Sequence, residues 1–398
     1  MQSEHKAYNL RGMSIITTDE ELRAFCVSVS SAPYITIDTE FLREKTYYPI
    51  LCLFQISAPG VDAVAFDPIA NPDLDFEPLF ELLFDPDLIK VCHAGKQDME
   101  IIFDMTGRLP HPVFDTQIAA MVCGLGDQIG YDNLIRKTVG IEVDKSSQFT
   151  DWSRRPLTDK QLQYALNDVT YLRDAYEKIS GQLESTGRLE WVQEELMALT
   201  DVSAYTINED ALWQRIKMKS NKPHALACLK KLAVWRETEA RKRNVPKNRI
   251  VKDDALADIA IHRPKNREKL SRTRNLYGDQ VKKHGDTILQ IIAEANALDK
   301  SECPQPKAKK NFPSHAVPIF EMLRMLLKIQ CAENDVAPKL VANQTDLEAI
   351  AMDDKADVPA MHGWRYKIFG QHALDIKHGR LGLTLENGEI TLIKTKCI

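Results

Sequence analysis

The chain has 398 residues, 44% hydrophobic and 27% charged, which is enough apolar material for a sizeable core shared among two or three domains. No apolar run approaches the length of a membrane span, and the start, MQSEHKAYNLRGMSII, lacks the apolar core of a signal peptide. The net charge of −5 hides an asymmetry: residues 1–200 carry 17 basic and 32 acidic side chains, residues 201–312 carry 25 and 14, and the rest 10 and 11.

Taken in order, the first 200 residues alternate strand and helix signals. After a short tail, a strand is expected near Met13 (MSII), then a helix over TDEELRAFCVSV and strands over YITIDTEF, ILCLFQIS and DAVAF. FEPLFELLF reads as a helix and LIKVCH as a strand. Helices are then expected over KQDMEIIFDM, DTQIAAMVCG and a long stretch from about Thr158 to Leu183. Strands early and helices late predict an α/β layered domain with a central sheet. Asp38 and Glu40 fall at the end of a central strand, where open α/β sheets place their ligand sites.

From Asn208 to about Asn296 the pattern is helical throughout. LKKLAVWRETEARKR has one apolar face and a charged reverse, Pro246 breaks it, and DDALADIAIHRP restarts on an Asp pair and stops at Pro264. Residues 298–314, containing SECPQPKAKKNFPS, read as an exposed linker. IFEMLRMLLKIQCAEN, the Pro-bearing VAPKLV and QTDLEAIAM then repeat the preceding rhythm of long helix, loop and short capped helix. The tail RLGLTLENGEITLIK holds an Asn-Gly between alternating apolar residues, a hairpin signal. The expected division is 1–200, 205–297, a linker over 298–314, and 315–398.

The eight cysteines are scattered, without a CxxC pair, and mostly in apolar context. They read as reduced, buried thiols of a cytosolic protein, and not as a disulfide framework or zinc site. The basic middle segment beside an acidic one points to polyanion binding appended to a different activity.

Four acids and a tyrosine carry the chemistry. Asp38 and Glu40 are two apart on a strand, so both side chains leave the same face. Paired carboxylates repel, burial adds a desolvation cost, and a hard divalent cation such as Mg²⁺ or Mn²⁺ removes the conflict. Asp98 opens a helix directly after LIKVCH. Tyr164 and Asp168, at i and i+4, share one helix face. A phenol one turn from a carboxylate can hold a water for attack on phosphorus. Each fragment alone is commonplace: a D-x-E is usually a surface pair, and Asp98 alone would suit a helix start. Their combination, in this order and in apolar strand context, is specific.

The stretches IDTEF, TYYPILCLFQIS, HAGKQDMEIIF, FDTQIAA and SSQFTDWSRRPLTDKQLQYALNDVTYL resemble the motifs of bacterial ribonuclease D, in the tyrosine branch of the DEDD exonuclease superfamily. The resemblance covers roughly residues 13–185. It implies an RNase H-like mixed sheet flanked by helices, and two divalent metal ions held by Asp38, Glu40, Asp98 and Asp168. Tyr164 would orient the attacking water. It also implies 3′→5′ exonucleolytic release of nucleoside 5′-monophosphates from RNA, chiefly trimming of 3′ extensions on transfer RNA precursors. No membrane and no obligate protein partner are implied.

Residues 208–296 resemble the HRDC domain, a helical nucleic-acid-binding module, and 315–390 a divergent second copy. On that reading Lys230, Lys231, Arg236, Arg241, Lys242, Arg243, Lys247 and Arg249 are candidate phosphate contacts. Phe41 and Leu42 are candidates to wedge against the terminal base, with core packing as the alternative. His93, Tyr47, Tyr48 and Asp115 are expected in supporting roles. Two further readings stay open: a DNA-directed exonuclease, because the same acidic set serves DNA proofreading, and a non-catalytic RNA-binding scaffold.

Overall fold

The computed structural model describes residues 14–306 and 312–395. Met13, Cys397 and positions 307–311 of the expected linker lie outside the described residues. The chain forms two units, one from residues 1–40, 53–204 and 310–398, the other from 41–52 and 205–309.

In the first unit a six-stranded sheet runs in the order β1-β4-β3-β2-β5-β6. The strands are β1 (Ser14–Ile16), β2 (Tyr34–Leu42), β3 (Ile50–Ala58), β4 (Val61–Phe66), β5 (Ile89–Cys92) and β6 (Val113–Asp115). The sheet is mixed: β1–β4, β2–β5 and β5–β6 are parallel, and β3–β4 is antiparallel. Ile35, Thr36 and Ile37 of β2 are all buried. A strand buried on both faces reads as the near-continuous apolar run seen in YITI.

Helices α1 (Asp19–Val29), α2 (Glu77–Leu83), α3 (Lys96–Thr106), α4 (Thr116–Val122), α5 (Tyr131–Thr138), α6 (Asp159–Thr186) and α7 (Leu189–Leu199) flank the sheet. α1 and α6 start on capping boxes, Thr18 with Glu21 and Thr158 with Gln161. The five expected strands and the long helix are present. Strand β6 and helices α5 and α7 were not anticipated. β6 is three residues long and follows the prolines of LPHPVFD, too brief for a period-two pattern.

The second unit is helical: α8 (Pro223–Arg243), α9 (Lys247–Ile250), α10 (Asp253–His262), α11 (Arg267–Leu270) and α12 (Gly278–Ala297). α8 ends where Asn244 adopts a left-handed conformation (φ 48°), and Pro246 follows, as such caps favour. Cys303 is buried in this unit's core, so the stretch expected as an exposed linker begins tied down.

Residues 312–395 carry α13 (Val317–Glu333), α14 (Pro338–Val341) and α15 (Gln344–Met352), which repeat the order of α8, α9 and α10, a long helix, a single turn and a shorter helix. Their core, however, is continuous with that of the first unit: Leu323, Leu326 and Phe369 pack with Met121, Leu172 and Ile179. Trp364 stacks on Trp191 with ring centroids 4.4 Å apart. The buried Arg365 bonds Glu194, Glu195 (2.7 Å) and the Leu340 carbonyl (2.6 Å). The Ala337 amide donates to the Met121 carbonyl at 2.8 Å. The expected hairpin is β7 (Leu381–Glu386) with β8 (Glu389–Lys394), turning at Asn387 and Gly388, both at positive φ.

No described helix is long and apolar enough to cross a membrane. The seven cysteines among the described residues are buried and unbridged.

Candidate active site

Strand β2 sets the first two acids. Asp38 and Glu40 project from one side, while Thr39 between them is buried. Helix α6 sets the second pair, and two bonds brace it. The Thr36 hydroxyl, two residues before Asp38, donates to the Val169 carbonyl at 2.7 Å. The Tyr131 hydroxyl donates to the Asp168 carbonyl at 2.6 Å. Strand and helix are thereby fixed to each other one residue from Asp168.

One carboxylate oxygen each from Asp38, Glu40 and Asp168 lies within 4.8 Å of the others. They line a cavity of about 200 Å³ together with His93, Tyr131 and Tyr164. Asp98 stands outside this tightest group. It is buried in the first turn of α3 and accepts a short hydrogen bond from the Thr39 hydroxyl. Asp98 is still near enough that its charge raises the pKa of Asp38 and of Glu40.

Proton affinities show the strain. Burial first, then Asp98, Asp168 and Glu40, hold the Asp38 carboxyl well above the usual range. Burial and the neighbouring aspartates push Glu40 up to about 9. Burial raises Asp168 to about 7 against the Tyr164 hydrogen bond, which lowers it. Asp98 rises to about 6, with burial opposed by the Thr39 bond. Burial and the charges of Asp168 and Glu40 drive the Tyr164 phenol above its ordinary value, so it keeps its proton.

Asp168 Oδ1 is buried without a hydrogen-bond partner. Such an atom is costly unless something cationic satisfies it. Clustered, repelling oxygen donors with an orphaned oxygen fit hard divalent cations.

Supporting residues surround the cluster. Asp115 caps α4 and accepts from the amides of Ala94, Gly95, Gln117 and Ile118, which leaves it no role as a ligand. Gly95 is required there, because a Cβ would sit 2.4 Å from the Cys92 sulfur. His93 contacts Thr116 Oγ1 at 3.0 Å and the Ile129 carbonyl at 3.1 Å, and burial lowers its pKa, so it is neutral. The buried Trp152 ring lies 6.1 Å from that of Tyr164.

Tyr131, Thr39, Trp152 and Gln148 were not singled out from the sequence. Tyr131 belongs to the unanticipated α5, and Thr39 gives no signal beyond its place between two acids.

The remaining candidates group with the second unit. Phe41 and Leu42 are half-buried at the end of β2. The Tyr47 hydroxyl bonds Glu237, and the amides of Tyr47 and Tyr48 donate to Asn244 Oδ1 at 3.0 and 3.1 Å. Lys230 pairs with Asp210 (2.6 Å), Lys231 with Glu294 (3.1 Å), Lys247 with Glu237 (3.3 Å) and Arg243 with Glu239. Arg241 Nε donates to the Tyr48 hydroxyl at 3.1 Å. Lys242 and Arg249 are exposed. Arg236 is buried, with Nη1 on Asp253 (2.6 Å) and the Val251 carbonyl (2.9 Å), so it is no surface contact.

Comparison with known proteins agrees with this geometry. A 3′-5′ exonuclease family model matches residues 13–184, and an HRDC domain model matches residues 225–292. A ribonuclease D of Nitrobacter hamburgensis is 43% identical over 383 residues, covering 96% of this chain and 100% of the relative. The chain belongs to the ribonuclease D family. A second ribonuclease D, of Bartonella henselae, is 42% identical over 385 residues, covering 96% of this chain and 94% of the relative. The crystal structure of Escherichia coli RNase D, described as an exoribonuclease involved in structured RNA processing, superposes with a TM-score of 0.79 at 29% identity. It covers 91% of this chain and 98% of that one. As a ribonuclease D the chain is a 3′-5′ exoribonuclease, a hydrolase of a family that uses divalent metal ions. The open readings as a DNA-directed exonuclease or a non-catalytic scaffold give way to this one.

Proposed function

We propose that the enzyme trims 3′ extensions of transfer RNA precursors and other structured RNA in the cytoplasm, releasing nucleoside 5′-monophosphates with two divalent cations, Mg²⁺ or Mn²⁺. The observation that carries this reading is the convergence of Asp38, Glu40 and Asp168 beside Tyr164, with Asp168 Oδ1 buried and unpartnered. Asp38, Glu40 and Asp168 would hold one ion, with Asp38 and Asp98 serving the other. Bound ions supply Lewis-acid stabilisation of the leaving oxygen and lower the pKa of water.

The chain's own groups supply position. Tyr164 keeps its proton, so it directs an attacking water by hydrogen bonding and does not act as the base. Its bond to Asp168 fixes the phenol, and Trp152 limits its tilt. Thr39 holds Asp98 in one rotamer, and the Thr36 and Tyr131 bonds keep β2 and α6 in register. The neutral His93, occupied on both nitrogens, shapes the wall.

The test is digestion of a 3′-extended transfer RNA with Mg²⁺ or with EDTA, beside matched single-stranded RNA and DNA. Stepwise mononucleotide release that requires metal, and that disappears in Asp38→Ala and Asp168→Ala while RNA binding persists, is the expected outcome. Retained cleavage in either variant refutes the ligand assignment, and preference for DNA refutes the substrate.

A further inference from the structure

Tyr164 is tied at its hydroxyl by the bond to Asp168, but a phenol held at its tip can still swing about that bond. Its ring plane is set by what lies against it. The buried Trp152 indole stands there, 6.1 Å away between ring centroids and inclined by 36°. A buried indole is ordinarily fixed through its N–H. Trp152 is not: its Nε1 is buried and finds no hydrogen-bond partner among the described residues. The placement of this ring therefore depends on the backbone that carries it.

That backbone is clamped on both sides. Before the indole, Thr150 Oγ1 donates to the Ser147 carbonyl at 2.8 Å and accepts from Gln161 Nε2 at 3.1 Å. Gln161 lies in the first turn of α6, three residues ahead of Tyr164. After the indole stands Arg155. Its Nη1 donates to the carbonyl of Trp152 itself at 2.8 Å and to that of Arg154 at 2.9 Å, and its Nη2 pairs with Asp67 at 2.5 Å. Asp67 directly follows β4, and its side chain is 3% exposed. Its Oδ1 also accepts from the amides of Ile69 and Ala70 at 3.1 and 2.9 Å, so the acid cannot turn from the guanidinium without breaking that turn. A planar guanidinium can serve an acid and two carbonyls at once. One side chain thus ties the rim of the sheet to the Trp152 peptide. Neither Asp67 nor Arg155 lines the acidic cavity.

We propose that Asp67 and Arg155 are positioning residues for the reaction: their ion pair holds the Trp152 backbone, and Trp152 in turn sets the plane of the Tyr164 ring. The proposal rests on the reading of Tyr164 as the group that directs the attacking water. A pair that merely stabilised the fold would act equally whether or not the Tyr164 hydroxyl is present, and that difference is what an experiment can read.

The test measures single-turnover cleavage of labelled RNA by the full chain at saturating Mg²⁺, below the melting temperature of every variant, with RNA affinity and melting recorded for each. Arg155→Met should slow cleavage of bound RNA about tenfold and leave RNA affinity and the Mg²⁺ requirement unchanged. Asp67→Asn, which keeps an acceptor for the two amides, should slow it about threefold. Arg155→Lys keeps a charge for Asp67 but cannot reach acid and carbonyls together, so it should restore melting and little of the rate. Combined with Tyr164→Phe, Arg155→Met should cost less than about twofold, because the hydroxyl it positions is gone. If Arg155→Met costs the same factor with and without that hydroxyl, or lowers melting and spares the rate, the pair serves stability alone and the proposal is refuted. Should Arg155→Met not fold, Asp67→Asn and Arg155→Lys carry the same comparison. If Tyr164→Phe alone is silent, the reading of Tyr164 fails and the proposal with it, an outcome distinct from a costly Tyr164→Phe that simply multiplies with Arg155→Met.

Discussion

Asp168 allows the electrostatic cost of the site to be weighed, through the substitution Asp168→Asn. Burial raises its pKa from 3.8 to about 7, even with the Tyr164 bond opposing. A carboxylate whose folded pKa exceeds its unfolded value costs the folded state nothing below the unfolded value. The cost grows as pH rises between the two and is complete above the folded one. Each tenfold change in proton affinity is worth about 1.4 kcal/mol, so ionising Asp168 without metal costs about 4 kcal/mol. Asparagine has nearly the same shape, cannot ionise, and keeps an oxygen for Tyr164, at a loss of about 1 kcal/mol as that bond becomes uncharged. The net gain expected in EDTA at pH 8 is about 2–3 kcal/mol, or roughly 5–10 °C in the melting of the first unit. At pH 5 the gain should largely vanish, because the wild-type group is then mostly protonated. With Mg²⁺ the order should invert, since only the wild type gains a ligand-bound state. Calorimetry at the two pH values, with EDTA and with Mg²⁺, reads all four conditions. An Asp168→Asn protein that melts at or below wild type in EDTA at pH 8, or whose gain is the same at pH 5, refutes the reasoning.

Tyr164→Phe should lower kcat by about 10- to 100-fold, the value of one hydrogen bond to a charged or reacting group, with little change in KM or in the Mg²⁺ dependence; single-turnover kinetics on labelled RNA check this. Thr39→Val removes the hydroxyl that holds Asp98, and the Mg²⁺ concentration for half-maximal rate should rise about tenfold at unchanged folding. Phe149 is 92% exposed and follows Gln148 of the cavity wall; if it stacks on a substrate base, Phe149→Ala should raise KM about fivefold or more and leave kcat alone. Arg365→Met leaves Glu194 and Glu195 without their shared cation, and the first unit should lose about 2–3 kcal/mol in denaturant unfolding while cleavage per folded molecule persists.

Much of this was legible in the sequence because it rests on local periodicity. The strand YITIDTEF fixed the facing of Asp38 and Glu40, and the spacing of Tyr164 and Asp168 fixed theirs, since both follow from backbone geometry alone. Asp98 shows the limit of such reading. Its place among the acids was foreseen, but its bond to Thr39, which sets it apart from the tightest three, joins residues 59 positions apart. Tyr131 was invisible for the same reason. Nothing in GYDNLIRK signals that its hydroxyl will reach the Asp168 carbonyl 37 residues later. The candidate phosphate contacts were chosen by charge, and charge along a sequence does not report pairing. Lys230, Lys231, Arg243 and Lys247 each find an acid across or along the helices.

That pairing bears on how an acidic catalytic segment accepts a polyanion. Residues 1–200 carry fifteen more acidic than basic side chains, so without help this part of the chain repels the substrate it cuts. Two compensations act at different ranges. At the site itself, divalent cations held by the four acids would cancel their charge, so metal loading and strand entry should reinforce each other. Farther out, the excess of eleven basic side chains in residues 201–312 would attract the phosphate backbone over about a Debye length, near 10 Å at moderate salt. Exposed pairs such as Lys231 with Glu294 do not defeat this, because each is worth only about 0–1 kcal/mol and a lysine can exchange carboxylate for phosphate at little cost. The two compensations separate by experiment. Raising monovalent salt at saturating Mg²⁺ should increase KM steeply and leave single-turnover cleavage of bound RNA nearly constant. Lowering Mg²⁺ at fixed salt should do the reverse. If kcat fell with salt as fast as kcat/KM, the basic segment would be acting on the chemical step, and the division of labour argued here would fail.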